Sequence, residues 1–446
     1  MTADIIKAPA EPDGAARIPV LDILRGLAIL AILFMNINDM GASLLASGRD
    51  IRHLGWGAAD QAVWVFREIT ANGTARCLLE MLFGAGMVIL TDRAAAKAGD
   101  RRWAVMRGYY WRNIILFLFG LVHVFILLWP GDILHSYGLA ALVAFWFRRL
   151  RPRWLILIGL SLATLQLTFG GYSYFESSQR RAQVTALEAR QGAGDALTPA
   201  EKEVLKQSAI RRAERAQGRD QMKAAVASED RGRTGTTAMW VREQWVQSID
   251  RIPMEVFAIW EAAAAMLVGA ALFKTGILQG QRDRRFYLWL MLAGYGIGGA
   301  LRTIGALGEI RFDDSPNIIW FTSEYARIAM TLGHIALVNW LVQSAAGIRL
   351  MKPFIAAGRT ALSIYIAQTI ICLWILYPPF ALGLYGQHSW WELMLVALAI
   401  NVGLTWAANL YLRHYRIAPV EWAWRSLVER RRLPFRARTD AAAVPA

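Results

Sequence analysis

Residues 17–39, RIPVLDILRGLAILAILFMNIND, form an apolar stretch long enough to cross a membrane as a helix. The stretch carries Asp22 and Arg25 near its start and Asn36 near its end. Ionisable side chains in such a helix are costly unless they are paired or face a polar cavity. Asp22 and Arg25 are three residues apart and can pair on one face, and Asn36 lies roughly 16 Å further along the same stripe. The sequence therefore predicts a helix with one face that is polar at both membrane boundaries.

The rest of the chain is similarly apolar, with 56% hydrophobic residues and a mean hydropathy of +0.31. This composition is typical of a polytopic membrane protein. Segment 59–70 is too short to cross and carries charges, so we predict an interfacial or re-entrant helix there. We predict an all-α transmembrane bundle, a single domain over residues 1–446, with ten spans at 18–38, 74–92, 113–129, 131–147, 154–174, 254–273, 286–306, 319–343, 354–377 and 390–412.

Lysine and arginine collect in every second connection between the predicted spans. Short cytoplasmic connections carry the excess of these residues, so we predict that both termini are cytoplasmic and that the membrane is a bacterial inner membrane. The net charge of +15 then reflects topology and contact with anionic membrane lipids. No nucleic-acid motif accompanies it, and no nucleic-acid partner is predicted. The basic connections are 93–112, 148–153, 274–285, 344–353 and 413–438.

One hydrophilic insert, residues 175–250, falls on the extracytoplasmic side of this topology. Thr198 and Glu201 fit a capping box with Pro199 at the first helical position, which predicts a charged helix running to about Ser228. The insert is either a solvated helical cap on the bundle or a lid over a substrate. The first 16 residues lack a cleavable signal, so we expect the first span to be an uncleaved anchor.

Four blocks of sequence resemble the YeiB-type family of bacterial membrane proteins, whose C-terminal part is classed as a domain of unknown function. They lie in the expected order and span nearly the whole chain. The blocks are LDILRGLAILAILFMNI at 21–37, LLEMLFGAGM at 78–87, HVFILLWPGDILHSYGLAAL at 123–142 and GRTALSIYIAQTIICLWIL at 358–376.

The opening helix also resembles those of heparan-alpha-glucosaminide N-acetyltransferase and of integral-membrane O-acyltransferases that modify envelope glycans. These groups share an LD-x-LRG-type start, so the resemblance implies acyl transfer. In the O-acyltransferases a histidine follows the arginine by eleven residues, whereas this chain has Asn36 after Arg25, and an amide cannot act as a general base. The heparan enzyme resembles this chain in having Asn there. It also has a His-x-x-Trp just outside the first span, where this chain has His53 and Trp56.

Acyl transfer across a membrane needs a base or relay nucleophile and donors for the thioester oxygen. His53, His123, Asp132 and His135 are the candidates on the outer side. The Asp132 carboxylate is three residues from His135 and could set the tautomer of that imidazole. Asp132 is also a natural helix cap after a Pro-Gly turn, and the two roles are compatible. His123, at the end of an apolar helix, could equally be a satisfied interfacial residue.

On the inner side, Arg25, Arg359 and Asp22 are the candidates for binding the donor. Arginine offers planar, bidentate contacts to phosphate, and the predicted donor is acetyl-coenzyme A or another acyl-coenzyme A. Simple positive-inside anchoring is the alternative for both arginines. Cys77 and Cys372 fall in apolar spans and predict no disulfide or metal site.

Other polar residues within the spans have simpler interpretations. The charged pairs at 76/80 and 324/327 are predicted to be scaffold ion pairs. Four further side chains are predicted to make interhelical hydrogen bonds, namely Gln368, Asn401, Asn409 and His334.

The function predicted from the sequence is transfer of an acyl group from a cytoplasmic thioester donor to an envelope glycan or other extracytoplasmic, glycan or lipid-linked acceptor. A transporter or exporter of a small polar or lipid-linked solute is the alternative, because buried charges can also relay protons or ions. A regulatory or scaffolding membrane protein is a third possibility. No Walker loop is present, which argues against ATP-driven transport. An oligomer is compatible with the sequence.

Overall fold

The computed structural model describes residues 18–98, 101–313 and 315–436, and this part of the chain forms helices and no strands. The predicted all-α class is confirmed. The predictions for the first 16 residues and for the last two residues of the 413–438 connection lie outside the described residues. The first helices are α1 (Pro19–Gly41), α2 (Leu44–Ser47), α3 (Ala58–Thr70), α4 (Thr74–Ala98), α5 (Arg102–Phe125), α6 (Leu134–Ala144), α7 (Pro152–Gly159), α8 (Ser161–Gly192) and α9 (Pro199–Thr234).

The second half of the chain continues the bundle with nine further helices. Two π-helical segments interrupt it: Tyr295–Gly299 joins α12 to α13, and Ile371–Leu376 extends α16. These helices are α10 (Thr237–Asp250), α11 (Glu255–Lys274), α12 (Arg284–Gly294), α13 (Ala300–Glu309), α14 (Ile319–Leu341), α15 (Ala345–Arg359), α16 (Ala361–Ile370), α17 (Trp390–His414) and α18 (Pro419–Glu429).

Within the described residues, seven helical stretches are long and apolar enough to cross a membrane. An eighth is obtained if α14 and α15, which meet at an angle of 118°, count as one broken span. The predicted fourth and ninth spans correspond to two shorter apolar segments, Leu134–Phe147 and Ala361–Leu376. The chain is therefore a polytopic membrane protein. Length and composition support seven or eight of the ten predicted spans.

Several predicted boundaries differ from those in the structure. The predicted span 354–377 is broken, because α15 ends at Arg359 and α16 begins at Ala361. The predicted third span, 113–129, is a helix that begins at Arg102 and ends at Phe125. The chain leaves the helix there through a connection in which Leu128 has a positive φ of 61°. Segment 59–70 does form a separate short helix, α3, as predicted.

The insert is continuous with the bundle, since α8 runs from the apolar region into it without a break. The predicted capping box is present. The Thr198 hydroxyl accepts from the Glu201 amide at 3.3 Å, and the Glu201 carboxylate accepts from the Thr198 amide at 2.8 Å. The helix that it opens, α9, runs to Thr234, six residues beyond the predicted end. Gly232 lies within the last turn of α9 without ending it, and the helix ends where Gly235 follows as its C-cap.

The basic connections lie together at one end of the bundle. The Lys274 ammonium donates to the carbonyls of Arg148 and Leu150, and the Gln343 amide donates to the Arg282 carbonyl. The insert lies at the opposite end, where α9 contacts the end of α1 and the start of α2. We call these the basic end and the insert end. Their separation is the one that the alternation of basic connections predicts.

Helix α1 lies inside the bundle, packed by α4, α15, α16 and α17. The Asn401 amide donates to the Leu30 carbonyl at 2.8 Å, and the Gln368 amide donates to Asn401 at 3.1 Å. His334 contacts the Thr70 carbonyl at 2.9 Å. The predicted interhelical hydrogen bonds are thus confirmed for these side chains. The bond from Asn401 to Leu30 specifies the position of α1 along α17, which contacts between apolar side chains alone would leave less well defined.

Candidate functional site

One carboxylate holds two imidazoles at the turn between α5 and α6. Nδ1 of His123 lies 2.7 Å from Oδ1 of Asp132, and Nδ1 of His135 lies 2.8 Å from Oδ2. Oδ2 also accepts from the His135 backbone amide at 3.0 Å. Ile133 rather than Asp132 stands at the N-cap of α6, but the Asp132 carboxylate accepts from an amide of the first turn and contacts both imidazoles. His123 is fully buried, and both of its ring nitrogens lie within hydrogen-bonding distance of a partner, Asp132 and Thr369.

The turn that carries Asp132 is covered by α10 and by the end of α16 at the insert end. The apolar segment that follows the turn, Leu134–Phe147, is shorter than a membrane-length helix. Side chains from α10 and from the end of α16 donate to its carbonyls: Gln244 to Leu128 at 2.9 Å and Trp374 to Leu127 at 3.0 Å. These bonds satisfy backbone groups that would otherwise be buried without partners.

Three residues that the sequence analysis did not select complete this cluster. The Thr369 hydroxyl lies 2.8 Å from Nε2 of His123. The Tyr365 hydroxyl accepts from the Ile133 amide at 3.3 Å. Glu255, at the start of α11, lies 3.1 Å from Nε2 of His135, and its side chain is 28% exposed. We call His123, Asp132, His135, Thr369 and Tyr365 the histidine cluster, with Glu255 on its outer side.

A cavity of about 280 Å³ leads from the basic end toward this cluster. Its walls come from α1, α4, α5, α6 and the region where α15 meets α16. At its inner limit it is lined by Ile133, Leu134, Tyr137 and Tyr365, which flank Asp132 and His135 or contact His123. Its volume lies near the lower limit of about 300 Å³ for small-molecule sites, so it suits a narrow chain better than a bulky ring system.

The mouth of the cavity is strongly basic. Five arginines line it against only two carboxylates, those of Asp22 and Glu421. Such an excess of guanidinium groups favours an anionic ligand with phosphate or carboxylate groups. The five are Arg25, Arg93, Arg112, Arg359 and Arg425.

Two glycines bring the predicted donor-binding arginines together. A Cβ on Gly358 would lie 1.8 Å from the Asp22 carbonyl oxygen, and a Cβ on Gly26 would lie 2.2 Å from the Phe354 carbonyl oxygen. Only glycine allows this backbone contact between α1 and α15. Because Gly26 follows Arg25 and Gly358 precedes Arg359, the crossing places both side chains at the mouth.

The acidic groups at the mouth are held by neighbouring elements. The Asp22 carboxylate accepts from the Arg25 guanidinium at 2.9 Å, so the predicted pairing is present. Glu421 of α18 accepts from the backbone amides of Leu362 and Ser363, at 2.7 and 3.1 Å. It thereby caps the start of α16. Burial raises the pKa of the Glu421 carboxyl, although its hydrogen bonds with Ser363 act in the opposite direction.

The remaining predicted site residues lie elsewhere. His53 is at the insert end, where Nε2 lies 3.1 Å from Asp230 of α9, and it does not line the cavity. Asn36 is half-buried in α1, and among the described residues its side chain has no hydrogen-bond partner. Its neighbour Asn38 accepts from Arg67 at 2.9 Å instead. The structure thus brings together Asp22, Arg25 and Arg359 at one end of the cavity.

A second buried network lies between α4, α11 and α14. The predicted pairs are both present, with Arg76 and Glu80 3.6 Å apart and Arg327 and Glu324 2.8 Å apart. Glu261 joins them, because it lies 2.5 Å from Arg76 and 2.7 Å from Arg327. Each buried charge has an opposite partner, as stability requires. Within the described residues no group of three His, Cys, Asp or Glu side chains has the arrangement of a metal site.

Comparison with known proteins gives full-length relatives. YxaH of Bacillus subtilis (strain 168) is 28% identical over 421 residues, covering 92% of this chain and 94% of the relative. YeiB of Escherichia coli (strain K12) is 27% identical over 440 residues, covering 92% of this chain and 96% of the relative. Residues 272–431 match the family described as "Protein of unknown function (DUF418)".

The chain is similar to YeiB and YxaH over nearly its whole length, and its C-terminal part carries the DUF418 match. The family match begins within α11 and ends after α18, so it includes Arg359, Tyr365 and Thr369. The parts of the site on α1, α5 and α6 are covered by the full-length YeiB-type relatives. No solved structure matches the chain.

Proposed function

We propose that this protein transfers an acyl group from an acyl-coenzyme A donor at the basic end to an acceptor at the insert end. The observation that carries the proposal is the cavity itself, which extends from an arginine-lined mouth to Ile133, Leu134 and Tyr365, the residues that adjoin a pair of imidazoles on one carboxylate. Anion binding and base catalysis are the two capacities that acyl transfer from a phosphorylated thioester needs.

The donor would enter from the basic end. Its phosphates would contact Arg25, Arg359 and their neighbours at the mouth, and its narrow thioester arm would occupy the cavity. The Tyr365 hydroxyl at the inner limit is placed to donate a hydrogen bond to the thioester carbonyl, where negative charge develops during transfer.

His135 is the proposed general base. Asp132 contacts its Nδ1, and the partly exposed Glu255 lies 3.1 Å from its Nε2 on the outer side, so an acceptor would displace the Glu255 carboxylate to reach Nε2. Nε2 would accept the proton of an acceptor hydroxyl or amine. The acceptor atom then bonds to the carbonyl carbon, the carbon–sulfur bond breaks, and the proton passes to the thiolate. His123, fully buried on the other oxygen of Asp132, is a positioning residue in this scheme.

The proposal includes a topology and a location. Both termini would be cytoplasmic, in the inner membrane of a bacterium, with ten membrane-embedded segments when the two short helical segments are counted. The clustering of Lys and Arg at one end supports this orientation. The acceptor would be an envelope glycan or lipid-linked molecule that approaches under the insert, whose helix α10 covers the turn that carries Asp132.

Transport of a small polar or lipid-linked solute is the second candidate. The charge network of Arg76, Glu80, Glu261, Glu324 and Arg327 supports it, because buried charges in membrane helices often couple ion movement to transport. The Tyr137 hydroxyl donates to the Arg76 carbonyl at 3.1 Å and Tyr137 lines the cavity, so the network adjoins the same cavity. Transport would leave the mass of the solute unchanged.

Label transfer tests the proposal. Membranes that contain the protein are incubated with radiolabelled acetyl-coenzyme A and an envelope extract, and label in glycan and lipid fractions is compared between variants. We expect His135→Gln to lower incorporation about a hundredfold or more, while the matched variant His53→Gln keeps most of it. Equal incorporation by the natural chain and His135→Gln would contradict the assignment of the base.

A further inference from the structure

A second site lies at the start of α5, in an open groove of about 860 Å³. The groove shares no lining residue with the cavity described above. Its wall is apolar, formed by Trp103, Met106, Tyr110 and Ile114. Trp103 is 77% exposed, which is unusual for so large an apolar side chain unless it meets a membrane interface.

Positive charge surrounds this apolar wall. Four guanidinium groups line the groove, those of Arg101, Arg102, Arg107 and Arg430, and no carboxylate of the described residues lines it. By contrast, two exposed arginines of the insert are paired with acids, Arg190 with Glu201 at 2.5 Å and Arg212 with Glu188 at 2.7 Å. The groove therefore combines an apolar surface with uncompensated positive charge.

Arg430 is held in position by an uncommon backbone conformation. It follows α18 with a φ of 53° and a ψ of 32°, a left-handed conformation that side-chain-bearing residues rarely adopt. This conformation places its guanidinium carbon 4.6 Å from the centre of the Trp111 ring. The Trp111 indole in turn lies 3.4 Å from the Leu427 carbonyl, to which its N–H donates. The groove is therefore a fixed feature formed where α5 and α18 meet.

We propose that this groove binds an anionic phospholipid. The phosphate would contact Arg102, Arg107 and Arg430, and an acyl chain would lie along Trp103, Met106 and Ile114. Basic pockets between membrane helices on the side that carries the basic connections are suited to such headgroups. The inference does not depend on acyl transfer, because it uses neither the cavity nor the histidine cluster.

The apolar wall distinguishes a lipid from a soluble anion. Inorganic phosphate could contact the guanidinium groups but would leave Trp103 and Ile114 in contact with water. An anionic lipid satisfies both surfaces at once, since its headgroup and its chain are covalently joined. The groove lies where α5 enters its membrane-length stretch, Arg102–Phe125, so a lipid can reach it from the surrounding bilayer leaflet.

Native mass spectrometry of the purified full-length protein tests the inference. Phosphatidylglycerol and phosphatidylcholine with identical acyl chains are titrated separately, and inorganic phosphate is added as a competitor. We expect saturable binding of phosphatidylglycerol, weaker binding of phosphatidylcholine and little competition by phosphate. The double variant Arg102→Gln/Arg107→Gln should bind phosphatidylglycerol about tenfold more weakly or worse.

The matched control is Arg151→Gln/Arg153→Gln, which removes the same charge from the same end of the bundle outside the groove. It should keep the affinity of the natural chain. Equal losses in both double variants would overturn the inference, because binding would then depend only on diffuse charge. Efficient displacement by phosphate, or equal affinity for phosphatidylcholine, would also overturn it. The four substituted arginines of the two double variants are exposed, so circular dichroism should show unchanged helix content in both variants.

Discussion

The ring of Tyr365 packs edge-on against the ring of His123, with the two ring centroids 4.9 Å apart. Tyr365 also lines the cavity, whereas His123 is completely enclosed by protein. One aromatic side chain therefore separates a ligand-sized space from a buried imidazole that Asp132 holds.

The Tyr365 hydroxyl is predicted to matter for catalysis more than for binding. Tyr365→Phe keeps the ring and its packing but removes the hydrogen-bond donor proposed for the thioester carbonyl. Label transfer from acetyl-coenzyme A should fall about a hundredfold, while donor binding measured by thermal shift stays close to that of the natural chain. As a control, Tyr411→Phe removes a hydroxyl that donates to the Ile417 carbonyl outside the cavity, and it should leave transfer intact. Parallel losses of binding and transfer in Tyr365→Phe would contradict this role.

The Glu229 carboxylate is predicted to be a major stabilising contact between the insert and the bundle. It accepts from the backbone amides of Leu44 and Leu45, at 2.8 and 3.1 Å, and from the Gln247 amide at 2.7 Å. Glu229→Ala leaves these buried donors without an acceptor, so we expect a loss of about 3–5 kcal/mol in the free energy of unfolding.

The matched control for this prediction is Asp220→Ala on the same helix, where the carboxylate is exposed and weakly paired with Lys223. Its unfolding temperature should not change measurably. If Glu229→Ala unfolds at the same temperature as the control, the insert does not contribute to stability in the way that the contacts indicate.

The buried Glu421 carboxyl is predicted to make the free energy of unfolding depend on pH. Burial raises the pKa of its carboxyl above the unfolded value of about 4.3, so the folded state favours the protonated form. This contribution is fully present below the unfolded pKa and is lost as pH rises through the folded pKa. Glu421→Gln, which is neutral at every pH, should therefore gain stability relative to the natural chain as the pH rises above the unfolded pKa of about 4.3. Thermal unfolding of both proteins is measured over a series of pH values. A difference in unfolding temperature that does not change with pH would contradict the raised pKa of Glu421.

The proposed topology predicts which exposed positions a membrane-impermeant maleimide can reach. Both natural cysteines are buried, so they should not react in the folded protein. Lys206→Cys lies in the exposed part of the insert and should be labelled in intact cells. Arg151→Cys lies at the basic end and should be labelled only after the membrane is opened. Labelling of Arg151→Cys in intact cells would contradict the proposed orientation and indicate the opposite one.

Much of the fold follows from local sequence patterns. The polar face of α1, the pairing of Asp22 with Arg25 and the capping box at Thr198 depend on residues within one or two helical turns, where spacing fixes geometry. Helix ends were predicted less well. The broken span near Arg359 lies beside the backbone contact between Gly358 and the Asp22 carbonyl, a tertiary contact that periodicity does not reveal.

The site could be predicted only in part for the same reason. Asp132 and His135 are neighbours in sequence, so their contact follows from helical spacing. Thr369 contacts His123 across 246 positions of the chain, and no local pattern distinguishes it from other small polar residues in apolar helices. His53 was selected through a likeness to another family, and the structure pairs it with Asp230 of the insert. Glu255 carries no motif, and only the packing of α11 against α6 brings it to His135.

Binding of acetyl-coenzyme A to the purified protein tests the central claim most directly. At a hundredfold excess over its dissociation constant a specific ligand stabilises the folded state by about 2.7 kcal/mol, so thermal unfolding should shift to higher temperature and saturate. The shift should be lost or greatly reduced in Arg25→Gln and in Arg359→Gln, and retained in Arg284→Gln, which changes an arginine at the same end but outside the cavity. The absence of any shift at millimolar donor, in protein that is shown to be folded, would contradict the acyltransferase account and favour transport.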